Sequence, residues 1–332
     1  MNEYSVQIEG MSGKKYKVLV TGGAGFIGSN LVEALLNDSR VEKVRVLDDL
    51  SNGKLSNLEA FFKDPRLEFI EGDIRDYATC AKAVKGMDLI SHQAALGSVP
   101  RSVEDPLATH HVNITGTANV FTAAKEEGIK KIVYASSSSI YGDSVTLPKL
   151  EEHKGNLLSP YAMSKSIAEQ YSAMYALNYG MSFIGLRYFN IFGPKQDPEG
   201  PYAAVIPLFL NALRKGEQPK IFGDGEQSRD FTFVTNAVQA NVLGLFQENT
   251  KAEAKVFNIA CGFRTTVNEL WTSLSELANT NTKPIYLPVR TGDIPHSLAD
   301  IDKARKDLCF IPDTAFHEGL KKTHAWFMNE YK

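Results

Sequence analysis

A doubly wound α/β fold, with a parallel sheet covered by helices on both faces, is what this sequence predicts, and three observations carry the prediction. Short β-branched runs alternate with helical stretches through the first half of the chain. A glycine turn, Gly22-Gly-Ala-Gly25-Phe-Ile-Gly28, lies between the first such run and the first such helix. Chemistry-bearing or small residues recur just past the strand positions: Asp48, Asp73, Ala94-Ala95, Ser137 and Tyr188. Helices between successive strands impose parallel pairing with right-handed crossovers, and a ligand of such a sheet lies beyond the strands' carboxyl ends.

Strands are expected at residues 16–21, 44–48, 67–70, 88–90, 131–135 and 183–187, each a short apolar run rich in Val, Ile or Leu. Helices are expected at 26–36, 77–85, 106–127 and 161–179. Past Tyr188 the alternation weakens and Pro and Gly cluster, as in Gly193-Pro194, Pro198 to Pro201 and Gly223-Asp-Gly225. That pattern describes a smaller, loop-rich α/β unit. A helix at 234–248 and a strand at 256–259 return to the large sheet. The expected division is 16–187 with 233–262 for a dinucleotide domain and 188–232 with 263–332 for a substrate domain. Residues 1–15 form a tail.

The chain has 332 residues, 43% hydrophobic and 23% charged, as in an ordinary globular protein. A net charge of -3 gives no reason to expect nucleic acid or a membrane surface as partner. No apolar run approaches the roughly 20 residues that span a bilayer. Three scattered cysteines, without a CxxC pair, suit a reducing compartment, so a cytoplasmic enzyme is expected. The seven histidines lack metal-ligand spacing, and no metal is expected.

In its strand–turn–helix setting the glycine turn points to a dinucleotide. Gly22 permits the tight turn, Gly25 lets the backbone approach a pyrophosphate, and Gly28 allows close helix–sheet packing. Phe26 and Ile27 open the helix whose N-terminus offers amides and a partial positive charge. Asp48 lies 20 positions past Gly28, where a carboxylate binds ribose hydroxyls and repels a 2′-phosphate; this favours NAD over NADP. Asp73 is placed to hold the adenine amino group.

Tyr161 and Lys165, four apart on a helix, share one face. Ser159 caps that helix and Pro160 suits its first turn, so the phenol stands near a helix start. Ionising a phenol of pKa ~10 near neutrality costs about 4 kcal/mol. A nearby opposite charge shifts a pKa by about 1–3 units, so Lys165 and a cationic nicotinamide are expected to make Tyr161 a base. Ser137 completes the set by hydrogen-bonding the reacting oxygen. Singly, a YxxxK pair is ordinary on helix surfaces and a serine run is ordinary in loops. Their joint order behind a glycine turn is much rarer.

With these residues the chain resembles the extended short-chain dehydrogenase/reductase family, and within it the nucleotide-sugar 4-epimerases. The marks are Thr21 to Gly28, Gly72-Asp-Ile-Arg-Asp76, Ser136 to Asp143, Ser159 to Lys165, Leu186-Arg-Tyr-Phe-Asn190, Ser228-Arg-Asp230 and Arg290 to Pro295. The resemblance implies a Rossmann fold, bound NAD and a cofactor site completed by Asn52, Gly53 and Ile74. Gln93, Ala94, Ala95, Asn113 and Tyr188 would also face the cofactor. The segment Gln93 to Ser102 looks most like enzymes acting on UDP-N-acetylglucosamine and its 6-carboxylate. On the substrate side the resemblance implies Gly97, Ser98 and Val99 beside the sugar, with Ser137, Ser138 and Ser139. Asn190 would touch sugar or diphosphate. Ala204, Val205, Ile206 and Ile221 would line the uridine region. Arg229 and Arg290 would grip the diphosphate and Asp293 the ribose. Ser297 stands where relatives restricted to non-acetylated sugars carry a bulky tyrosine, leaving room for a 2-acetamido group.

The implied reaction is inversion at C4 of a UDP-sugar through a 4-keto intermediate, most similar to the interconversion of UDP-N-acetylglucosamine and UDP-N-acetylgalactosamine or of the uronates. UDP-glucose or UDP-glucuronate epimerases and a UDP-glucuronate decarboxylase are alternatives. A 4,6-dehydratase is disfavoured, because Ser138 and Ser139 replace the Asp-Glu pair that removes the C5 proton. An NAD-binding redox sensor is the non-enzyme alternative, and the intact Ser137, Tyr161 and Lys165 speak against it. The resemblance further implies a homodimer formed by the helices of 106–127 and 161–179, and a role in polysaccharide biosynthesis.

Overall fold

The computed structural model describes residues 13–198, 203–248, 251–289 and 294–331. The large sheet contains β1 (Tyr16–Thr21), β2 (Val41–Asp48), β3 (Leu67–Glu71), β4 (Leu89–His92), β5 (Lys131–Ser137), β6 (Ser182–Tyr188) and the strand Ala254–Ile259. Its order is Ala254–Ile259, β6, β5, β4, β1, β2, β3. β1 pairs in parallel with β2 and β4, β2 with β3, and β4 with β5. The chain steps outward from β1 to β3 and then returns to β4. The topological switch therefore falls between β1 and β4, where Thr21 is in register with His92.

Helices α1 (Phe26–Leu36), α2 (Tyr77–Val84), α3 (Val99–Glu104), α4 (Pro106–His110), α5 (Thr117–Glu127) and α6 (Pro160–Tyr179) flank the sheet; α3 was not expected, and the others follow the expected positions with one further difference. Residues 106–127 do not form one helix: a π-helical turn, His111–Gly116, separates α4 from α5. A Cβ at Gly116 would lie 2.5 Å from Ile74, so this stretch presses against its neighbour with no side chain between. The wide turn leaves Asn113 buried and facing the backbone of Leu96. Gly128 and Gly180, in left-handed conformation, end α5 and α6.

Two compact units are formed. One is drawn from Met1–Ser137, Ser159–Leu186 and Val238–Val256. Its core is apolar, with Phe121 ringed by Phe183 at 4.8 Å, Tyr175 at 5.8 Å and Tyr134 at 5.9 Å between ring centroids. The other is drawn from Ser138–Leu158, Arg187–Ala237 and Phe257–Lys332. Residues 138–158, expected with the first unit, fall in the second. Polar bonds tie them there: the fully buried Arg187 donates to Tyr141 Oη at 3.0 Å and to the Glu151 carbonyl at 2.9 Å. Asn258 Nδ2 donates to the carbonyls of Lys149 and Asp300, both at 2.9 Å. No helix among the described residues is long and apolar enough to cross a membrane, and no metal-ligating cluster occurs among them.

Candidate active site

The glycine turn is built for close approach. Gly22 has φ +68°, and a Cβ there would lie 2.6 Å from the Ala94 amide nitrogen. A Cβ at Gly28 would lie 2.0 Å from the Gly22 carbonyl oxygen, so α1 can start here only without a side chain. Gly25 precedes α1 and no side chain caps the helix, which leaves its N-terminus to an anion. Asp48 closes the turn from the end of β2, accepting from the amides of Ala24 and Leu50 at 2.9 Å each. Burial raises its pKa while these amides oppose the shift. Gly53 lies against this carboxylate, and Asn52 accepts from Arg101 Nη1 at 3.0 Å. A side-chain-free cradle beside a buried carboxylate fits a dinucleotide diphosphate and ribose.

Around this turn, Asp73 pairs with Arg75 at 2.5 Å. Partial burial raises the Asp73 carboxyl, but the bonds from Arg75 outweigh it and hold the pKa below the usual range. Ile74 is buried in the apolar core, and its carbonyl accepts from Asn119 at 3.0 Å. Gln93 Nε2 donates to Ser91 Oγ and to Asn241 Oδ1, both at 2.9 Å. The Ala94 amide donates to Thr21 Oγ1 at 3.3 Å. Ala95 is half-buried and Gly97 exposed, with nothing within 4 Å of a Cβ placed on Gly97. Ser98, at φ 121°, caps α3 by accepting from Arg101, and Val99 is exposed.

Ser137, Tyr161 and Lys165 are brought together by a ladder between β5 and α6. Tyr134 Oη meets Ser172 Oγ at 2.9 Å, and Ser136 Oγ donates to Glu169 Oε1 at 2.8 Å. Lys165 Nζ donates to the Ala135 carbonyl at 2.8 Å, and Ser137 hydrogen-bonds the Tyr161 phenol. Residues 161, 165 and 169 recur at four-residue spacing, so one stripe of α6 meets four successive residues of the strand. Ser159 caps α6 by accepting from Ala162 at 3.1 Å, with Pro160 in the first turn, as the sequence suggests.

The Tyr161 pKa is raised, because burial outweighs the Ser137 hydrogen bond that favours the phenolate. Lys165 Nζ lies 5.8 Å from the phenol's ring centroid and is committed to a carbonyl, while burial pulls its own pKa down to about 8. Lys165 is thus held beside the phenol ring through its bond to the strand backbone. Beside this pair, Asn113 Nδ2 donates to Ser164 Oγ at 3.1 Å and to the Leu96 carbonyl at 3.0 Å.

In the second unit, Ser138 and Ser139 open a 3₁₀ turn, and Tyr188 ends β6. Asn190, at φ 41°, donates to the Asp230 carbonyl at 3.3 Å. Arg229 Nη1 donates to the carbonyls of Ser228 at 3.0 Å and Pro295 at 3.1 Å. Ala204 and Val205 open the helix Val205–Lys215, again without a side-chain cap, whereas Ile206 and Ile221 are buried. The Ser297 amide donates to the Ser228 carbonyl at 3.0 Å, and Ser228 Oγ meets His296 Nδ1 at 2.9 Å. Arg290 and Asp293 lie outside the described residues. Sequence reasoning missed three buried groups: Glu169, His92 and Asp230. Glu169 gave a signal as an acid on the stripe of Tyr161 and Lys165, and Asp230 stands in the Ser228-Arg-Asp230 mark, though no role was assigned to either.

A sheet of this order, with a glycine cradle at its switch point and a tyrosine and lysine one helical turn apart, defines a dinucleotide-dependent redox fold of the short-chain dehydrogenase/reductase type. The chain belongs to the NAD dependent epimerase/dehydratase family, whose model matches residues 18–260, and it is an NAD-dependent enzyme of the extended branch. It is 38% identical to the UDP-glucose 4-epimerase of Mycolicibacterium smegmatis, over 95% of this chain and 99% of that one. It is similar to the structure of the UDP-N-acetylglucosamine 4-epimerase from Methanobrevibacter ruminantium M1 in complex with UDP-N-acetylmuramic acid. That likeness has a TM-score of 0.90 and 42% identity, over 96% of this chain and 99% of that chain. A third likeness is to the Thermus thermophilus UDP-glucose 4-epimerase in complex with NAD, with a TM-score of 0.84 and 34% identity. It covers 94% of this chain and 99% of that one.

Proposed function

We propose that this chain inverts C4 of UDP-N-acetylglucosamine, giving UDP-N-acetylgalactosamine, and does so reversibly. NAD-dependent 4-epimerisation of a UDP-sugar is the broader activity that the family and its relatives support. The finer choice rests on the 42% identity to the N-acetylglucosamine epimerase of Methanobrevibacter ruminantium. Two small residues agree with it: Ser297, and Gly97 with open space at its Cβ position. UDP-glucose is the second reading, favoured by the Mycolicibacterium smegmatis relative.

Bound NAD supplies the acceptor and donor for the C4 hydrogen. Gly22, Gly25 and Gly28 would hold its diphosphate at the start of α1, and Asp48 its ribose. Tyr161 takes the proton of the sugar 4-hydroxyl and later returns it. Ser137 orients that hydroxyl and shares a hydrogen bond with the phenol. Lys165, buried and fixed on Ala135, offers its charge to the phenolate as it forms. Arg229 carries positive charge suited to the diphosphate of the substrate. The α6 surface carries Met163, Met174 and Leu177 exposed near helical spacing, which supports a homodimer as the working assembly. All three cysteines are free, in keeping with a cytoplasmic location.

The test is a panel of UDP-glucose, UDP-N-acetylglucosamine and its uronate, each assayed for the C4 epimer. UDP-N-acetylglucosamine is expected to turn over fastest, with NAD copurifying and no net NADH. Faster conversion of UDP-glucose would overturn the substrate assignment. Tyr161→Phe is expected to lower kcat by about 10²–10⁴ while NAD stays bound. An active Tyr161→Phe would overturn the mechanism.

A further inference from the structure

Behind the glycine turn, a closed circuit of hydrogen bonds surrounds the backbone of residues 92–96. His92 Nδ1 meets Thr21 Oγ1 at 2.7 Å, and its Nε2 meets Thr117 Oγ1 at 3.0 Å. Thr117 Oγ1 donates onward to the Asn113 carbonyl at 2.7 Å. Asn113 Oδ1 accepts from the Leu96 amide at 2.8 Å, and Thr21 Oγ1 accepts from the Ala94 amide at 3.3 Å. The circuit thus runs from Ala94 through Thr21, His92, Thr117 and Asn113 to Leu96. All of its side chains are fully or partly buried, and His92 is 4% exposed.

A hydroxyl has one proton to give. Thr117 spends its proton on Asn113, so at Thr117 the ring nitrogen must be the donor, which puts a proton on Nε2. Nδ1 then accepts the proton of Thr21, and Thr21 Oγ1 keeps a lone pair for Ala94. Every contact then has one donor and one acceptor, and the direction of the chain fixes one tautomer of a neutral ring.

We infer that His92, held neutral with its proton on Nε2, is a positioning residue for the 94–96 segment, whose Ala94 and Ala95 the family resemblance sets on the cofactor side. Its two nitrogens set the distance between β1, which leads into the glycine turn, and the π-helical turn carrying Asn113. Ala94 and Leu96 are pinned at the two ends of that span. Asn113 also holds Ser164, the neighbour of Lys165, so the circuit aligns the cofactor cradle with the proton-transfer pair. The role rests on the NAD-dependent reading and is independent of which sugar is turned over.

The experiment uses full-length protein labelled with ¹⁵N at histidine, with His92→Gln identifying the His92 signal. Wild type is expected to show Nε2 protonated and Nδ1 unprotonated between about pH 6 and 8. A ring protonated on Nδ1, or on both nitrogens, would overturn the inference whatever the enzyme's activity. His92→Phe, which keeps the bulk and removes both bonds, is expected to lower kcat at least about tenfold with the UDP-sugar KM within about threefold. His92→Gln offers an acceptor and a donor in the same order, and is expected to recover kcat to within about threefold of wild type. Equal loss in both variants, or none in His92→Phe, would reduce His92 to packing and overturn the assignment. If His92→Phe does not fold, Thr117→Val and Thr117→Ser replace the pair of variants with the same two outcomes.

Discussion

Each of the two compact units rests on its own physics. The first packs aromatic and branched side chains around its sheet, with Phe121 touching three rings. The second has ring contacts of its own, Phe192 with Phe231, Phe233 and Phe316, and adds to them charge with no exposed surface at all. Asp230, with no exposed surface, accepts from the amides of Cys261 at 3.0 Å, Gly262 at 3.1 Å and Ala299 at 3.3 Å. Arg187, equally buried, serves Tyr141 and Glu151. An apolar core tolerates exchange among residues of similar volume. A core of directional bonds leaves an unpaired polar group whenever one member is removed. A regular sheet suits the first kind; irregular loops, whose backbone groups lack strand partners, need the second.

Three substitutions probe that contrast. Phe121→Ala should cost most, about 4 kcal/mol of unfolding free energy, because the cavity is lined by rings that cannot close it. Arg187→Met should cost about 3 kcal/mol by the same denaturation measurement, since it fills the space and leaves Tyr141 and Glu151 without their donor. A cost below about 1 kcal/mol would show that the second unit is also held mainly by apolar contact.

The smallest effect is a pH dependence. Burial pushes the Asp230 pKa up to about 7 against the pull of four backbone amides. An acid raised on folding stabilises the fold in its protonated form. That contribution is complete below about pH 4 and is lost as pH rises through about 7. Asp230→Asn cannot ionise and should flatten the stability difference between about pH 5 and 8 by about 2–3 kcal/mol. An unchanged slope would place the titration elsewhere.

The same contrast decides what could be read from the sequence. Strand and helix periods in the first unit are local, and α1 falls on the expected residues 26–36. The glycine turn and the Tyr161–Lys165 pair were legible because each is a short-range pattern. The π-helical turn at His111–Gly116 was not, since it answers a contact between Gly116 and Ile74. His92 ends an apolar strand, and its partners Thr21 and Thr117 lie 71 and 25 positions away. The burial around the Tyr161 phenol was not legible for a related reason: spacing reveals a neighbouring ammonium, but burial depends on the whole fold. Residues 138–158 joined the second unit through Arg187 and Asn258, partners that no periodicity announces.

The ladder between β5 and α6 has a practical consequence. A helix fastened at four levels can neither screw nor slide along its strand, so the phenol and the ammonium travel as one rigid cartridge. Anyone retooling this catalyst for a different sugar can leave that cartridge untouched and change residues elsewhere. Trimming Ser136 or Glu169, both buried behind that pair, would blunt every version of the tool alike.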